Sequence, residues 1–125
     1  MIDVKHPLFS IPVASTALSN DVQLAFDGGN LALRFSYRED GGEIEGGIVF
    51  QKTRAFRHRA EIYCTEWHIE CAYDTVVEVA DAQWKDELRE AAPAHQKDQW
   101  SMKHFMIYLD SFGCLEVIAE SAELR

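Results

Sequence analysis

Residues 102–121, MKHFMIYLDSFGCLEVIAES, carry the clearest structural signal in this chain. Two apolar runs, Met102 to Leu109 and Leu115 to Ser121, flank Asp110-Ser111-Phe112-Gly113. Gly113 suits a left-handed turn position, so the stretch predicts a β-hairpin. Alternation along each run sets Phe105, Ile107 and Leu109 against Leu115, Val117 and Ala119 on one shared face.

Working back from this hairpin, residues 94–100 are polar and end in Trp100, the pattern of a loop or an extra turn. Pro93 stops a helix expected over 81–92. Asp81 would be its N-cap; Trp84, Leu88 and Ala91 or Ala92 would form its apolar side. Over residues 65–79, Thr65, Trp67, Ile69, Cys71, Tyr73, Thr75, Val77 and Val79 take every second position. Five of the seven residues between them are polar, so period 2 predicts a strand, with an interruption near Asp74.

Earlier still, Val22 to Phe26 and Leu31 to Tyr37 flank Asp27-Gly28-Gly29-Asn30, a second hairpin. Leu31, Leu33, Phe35 and Tyr37 share one face, Arg34 and Arg38 the other. After a turn at Glu39-Asp40-Gly41-Gly42, Ile44 to Gln51 reads as a strand, and Gly46 and Gly47 mark a bulge or a close backbone approach. With no turn residue from Lys52 to Arg59, this is either one long bent strand or a strand with an irregular extension. Residues 1–20, broken by Pro7 and Pro12 and with Phe9, Ile11 and Val13 alternating, read as an extended arm lying on the domain.

The expected fold is α+β and mainly antiparallel. About six to seven strands form a sheet or incomplete barrel, with the one helix, 81–92, packed on it. The 125 residues make a single domain, 1–125, with 1–20 as its N-terminal arm. Phe35, Trp67, Ile69, Val77, Trp84, Leu88, Phe105, Ile107 and Val117 are the expected core. With 47% apolar and 26% charged residues, the chain is not disordered, collagen-like or a coiled coil.

A formal charge of −9 repels nucleic-acid phosphates and anionic lipids and favours basic protein partners. An odd cysteine count (Cys64, Cys71, Cys114) argues against a disulfide framework and for a reducing cytoplasm. Neither a signal peptide nor a membrane-spanning run is evident.

No Walker loop, GxGxxG, GxSxG, HExxH, CxxC or EF-hand motif occurs. On a strand, Glu66, His68 and Glu70 would project from one face, roughly 6.5–7 Å apart. Such a face could ligate a divalent metal or form an acid–base pair, joined by His58 or His104; otherwise it is solvated. Cys64, His68 and Cys71 would share a side only on a helix, so the strand reading sets aside a zinc site.

Lys52, Arg54, Arg57, His58 and Arg59, interleaved with Phe56, form a basic cluster. It serves either an anion or partner site, or cross-strand pairing of Arg57 and Arg59 with Glu66 or Glu70. Trp100 is a candidate for a pocket mouth or interface, and Tyr108 for a ligand pocket with Trp84 between sheet and helix. Ser111, Cys114 and Ser121 lack an activating context.

The leading expectation is an acidic cytoplasmic binding or interaction protein of regulatory or inhibitor type, without catalysis, metal or cofactor. Its partner would be another protein, not nucleic acid or membrane. A two-fold dimer through the arm is expected, because Phe9, Ile11 and Val13 need cover; the alternative is an arm packed along its own domain, which buries them equally. The alternatives are a small enzyme or metal-binding protein using Glu66, His68 and Glu70, and a small-ligand pocket.

Overall fold

A computed structural model describes residues 4–80 and 83–125. The 102–121 hairpin sits at its centre as β7 (Lys103–Leu109) and β8 (Gly113–Ala119). Its register is the expected one, Phe105 opposite Val117 and Ile107 opposite Leu115. Both strands are buried on both faces apart from Lys103. That is why their apolar runs are nearly continuous rather than alternating.

The other strands are β1 (Lys5–Ser10), β2 (Gln23–Asp27), β3 (Asn30–Glu39), β4 (Gly42–Gln51), β5 (Ala55–Arg59), β6 (Thr75–Val79) and β9 (Ser121–Leu124). They form two antiparallel sheets, ordered β1-β6-β7-β8-β5 and β2-β3-β4-β9. The fold is therefore α+β and mainly antiparallel, with nine strands among the described residues rather than six or seven. The two inner faces meet in one core: Leu31, Leu33, Phe35, Ile48 and Phe50 from one sheet, Val76, Phe105, Ile107, Leu115 and Val117 from the other.

The sheets are joined at a corner. β4 runs into β5 through Lys52, whose φ is 52°, and β8 runs into β9 alongside. Neither reading of 44–59 holds whole: β4 ends at Gln51, residues 52–54 turn the chain, and β5 is a second strand in the other sheet. Gly46 and Gly47 serve close approach, not a bulge, since the β3–β4 register is unbroken. A Cβ on Gly47 would lie 2.7 Å from the Leu33 carbonyl oxygen.

Three expectations need correction. First, residues 65–79 are not a continuous strand. α1 (Glu66–Ile69) occupies their start, and β6 begins only at Thr75. Cys71 and Asp74 have positive φ of 64° and 55°, so two non-glycine residues turn the chain without a glycine or proline to announce it.

Second, the one expected helix is α2 (Gln83–Ala91), and two single helical turns accompany it, α1 and α3 (Ala94–Lys97), the latter being the extra turn of the two readings of 94–100. The Asp81 cap lies outside the described residues. Third, Trp67, Ile69, Trp84 and Leu88 are half-buried, while Phe35, Val77, Phe105, Ile107 and Val117 are fully buried. The four belong to segments lying over the outer face of the five-stranded sheet, where one side of each meets water.

The described part of the arm lies on its own domain, one of the two arrangements expected for it. β1 pairs with β6, Ile11 is buried, and the Ile11 N–H donates to the Asp74 carbonyl at 3.0 Å. Leu18 then bridges Tyr37 of β3, so the arm passes from one sheet to the other. The apolar cover that motivated an exchanged arm is supplied within the chain.

Candidate functional site

Register places Val77, Met106, Glu116 and Arg57 in one row across the outer face of the five-stranded sheet. Glu116 is buried within it. The Arg57 guanidinium donates to both its carboxylate oxygens, Nε at 2.9 Å and Nη2 at 3.0 Å. From the diagonal position on β7, His104 Nε2 lies 2.9 Å from Glu116 Oε1. Trp84 of α2 roofs the group, with the Arg57 guanidinium 4.0 Å from its ring centroid and the His104 ring edge-on at 5.2 Å.

Burial raises the Glu116 carboxyl pKa. The hydrogen bonds from His104 and Arg57, reinforced by the Arg57 charge, outweigh it and hold the group at about 2. His104 Nδ1 is buried without a hydrogen-bond partner among the described residues. The trio resembles an oriented acid–base pair in form. A general base, however, must reach a substrate proton, and here the imidazole is beneath Trp84. Its evident work is to pin α2 to the sheet.

Arg57 thus pairs internally, but with Glu116 rather than Glu66 or Glu70. Both of those carboxylates are exposed, on and just after α1. His68 is buried, and its Nδ1 accepts from the Thr65 backbone N–H at 3.0 Å, closing the start of α1. Burial, then the nearby Arg59 charge, lower its pKa and favour the neutral ring. The Glu66, His68 and Glu70 strand face therefore does not form. No group of three His, Cys, Asp or Glu suited to a metal occurs among the described residues.

The remaining candidates scatter. His58 Nε2 meets the Phe112 carbonyl at 2.7 Å and stacks on its ring at 4.3 Å. Arg59 is exposed and donates to the Tyr63 carbonyl at 3.5 Å. Trp100 is half-buried, and its indole N–H has no acceptor among the described residues. Tyr108 is buried against Tyr73. Burial, with the neighbouring Glu61 charge, pushes its hydroxyl up to about 12. Tyr108 lies four residues along β7 from His104, the residue that touches Trp84, a separation of about 13 Å. A groove of about 740 Å³ lies against the four-stranded sheet, lined by Arg34, Ser36, Glu45, Val49 and Arg125 among others.

One surface was not anticipated. The short 3₁₀ turn Glu61–Tyr63 displays Ile62 at 81% exposure and Tyr63 at 68%, the highest values of any large apolar side chains described. Its backbone is held on several sides. Tyr63 N–H donates to the Ala60 carbonyl at 2.9 Å, Cys64 N–H to that of Glu61 at 3.1 Å, and Ser111 N–H to the Glu61 carboxylate at 2.6 Å. Nearby, Asp110 accepts from the Tyr73 hydroxyl. From Ala60 to Asp74 the chain has Glu61, Glu66, Glu70 and Asp74 and no Lys or Arg. An acidic run containing two adjacent apolar residues is the signal the sequence holds for it, beside the stronger alternation of 65–79.

Comparison of the chain with models of known protein families, with curated proteins and with solved structures finds no match.

Proposed function

We propose that this chain is a non-catalytic binding protein that docks a basic protein partner on the Glu61–Asp74 end of the molecule. The observation that carries this reading is the pair Ile62 and Tyr63, exposed on a turn closed by its own backbone hydrogen bonds and tied to Ser111 through the Glu61 carboxylate. Apolar and aromatic anchors on a preorganised backbone lose little entropy on docking. Glu61 on the same turn, the acidic run that follows it in sequence and the formal charge of −9 favour a cationic partner and would speed encounter.

The ionisable residues best placed for chemistry support the same reading, since His68, His104 and Glu116 are each engaged within the fold. Three free thiols fit a reducing compartment, the cytoplasm. Among the described residues, no helix is long and apolar enough to cross a membrane.

The test is affinity capture from a lysate of the source cells, comparing the wild type with an Ile62→Ser/Tyr63→Ser variant. The expected result is a basic protein retained by the wild type, weakened at least about 10-fold by the double substitution. It should also be released at about 1 M salt, where screening shortens to about 3 Å. Equal retention by both chains would overturn the assignment of the surface, and a captured partner that is acidic would overturn the electrostatic argument.

A further inference from the structure

β2 is an end strand of the four-stranded sheet. Exposed strand edges invite pairing, and proteins blunt them with proline, bulges or charge. β1, at one edge of the other sheet, carries Pro7 and an irregularity between Pro7 and Phe9. β5, at the opposite edge, carries Arg57, His58 and Arg59, which would oppose one another in a self-paired strand. β9 is only four residues long. β2, Gln-Leu-Ala-Phe-Asp over 23–27, has an unbroken register with β3 and contains neither proline nor a cation. It also displays Phe26, 59% exposed, the most exposed large apolar residue of any described strand.

The hairpin geometry says which backbone groups are free. Gly28 and Gly29 have φ of 58° and 85°, a two-residue loop closed by the Asp27–Asn30 pair. In such a hairpin the residues flanking the loop exchange hydrogen bonds, and the antiparallel ladder then alternates. Asp27, Ala25 and Gln23 therefore bond to β3, while the N–H and C=O groups of Leu24 and Phe26 turn outward.

We infer that β2 is the seam of a two-fold dimer in which two copies of this chain pair Gln23–Asp27 antiparallel about Ala25. Among the registers the free groups allow, this one uses both outward residues of each copy: Leu24 stands opposite Phe26 of the second copy, twice, and exchanges backbone hydrogen bonds with it. Gln23 stands opposite Asp27 of the second copy, an amide facing a carboxylate. The sequence is thus complementary to itself in the one orientation that a two-fold axis allows. The four-stranded sheet continues into one of eight strands, and each Phe26 gains an aliphatic cross-strand neighbour. Each copy carries −9, so association is opposed at long range and strengthens as salt is added. This is the opposite sign to docking of a basic partner.

The experiment is sedimentation or light scattering of the full chain from micromolar to millimolar concentration, at low and high salt. The expected result is a mass rising from 14.3 kDa towards twice that, more readily at high salt. Phe26→Lys should weaken the dimer at least about 10-fold, while Phe56→Lys on the β5 edge leaves it unchanged. Hydrogen exchange on the wild type gives a second readout that needs no variant: the Leu24 and Phe26 amides should slow with protein concentration. A mass of one chain under all these conditions would overturn the proposal. So would a dimer indifferent to Phe26→Lys, or concentration-independent exchange at those two amides.

Discussion

At the scale of single residues, Glu116 has the largest electrostatic consequence. Its carboxyl titrates at about 2 in the folded chain against an ordinary value of 4.5. The unfolded chain therefore takes up the proton first as pH falls. The stabilisation is complete above about pH 4.5 and is lost progressively towards pH 2, amounting to about 3 kcal/mol. Glu116→Gln should cost about 3 kcal/mol at neutral pH, because it leaves Arg57 and His104 without their anion. Denaturant titrations across pH should show the acid-side slope shrinking in that variant. His68 acts in the same direction: its lowered pKa means that protonating the ring works against the folded α1 start. Glu116 and His104 could be noticed in the sequence as charged or titratable residues within the two apolar runs of the hairpin. That they meet Arg57 depended on β5 pairing with β8, which local pattern does not encode.

At the scale of elements, the tightest junction is where β8 starts against the end of β5. Gly113 has φ of 105°, and a Cβ there would lie 2.1 Å from the Arg59 carbonyl oxygen. Gly41 also has positive φ, 78°, but open space around it. Gly113→Ala should therefore cost about 3–5 kcal/mol, from backbone strain and overpacking together. Gly41→Ala should cost only about 1 kcal/mol. Thermal melts of the two variants separate these causes, and similar losses would contradict the packing described at this junction. The three hairpin turns were legible because glycine marks each. The break between α1 and β6 was not, because Cys71 and Asp74 adopt left-handed conformations that their neighbours impose.

At the scale of the whole molecule, the N-terminal segment closes the structure. β1 completes the five-stranded sheet, Ile11 enters the core, and Leu18 reaches the second sheet. Deleting residues 1–14 should lower stability by more than about 3 kcal/mol, since it removes a strand and a buried side chain. Calorimetry checks this. Sedimentation of the same deletion should show association through β2 intact, whereas loss of the dimer with unchanged stability would mean that the arm is exchanged between copies. Large-scale charge sets two opposite salt responses, weaker docking of a basic partner and stronger pairing of like-charged copies.

The sequence by itself determined the α+β class, the hairpins and their faces, because alternation and turn chemistry act over a few residues. It also determined the acidic charge, which is a sum and needs no coordinates. Tertiary structure decided the rest. Division into two sheets follows from the bend at Lys52, and the path of the arm from pairing with a strand some seventy residues away. The burial of Glu116 depends on α2 folding back over β5 and β7. The exposure of Ile62 and Tyr63 depends on contacts that hold their backbone while leaving their side chains in water. Each is a long-range choice, made by the free energy of the assembled core and invisible to any window of neighbouring residues.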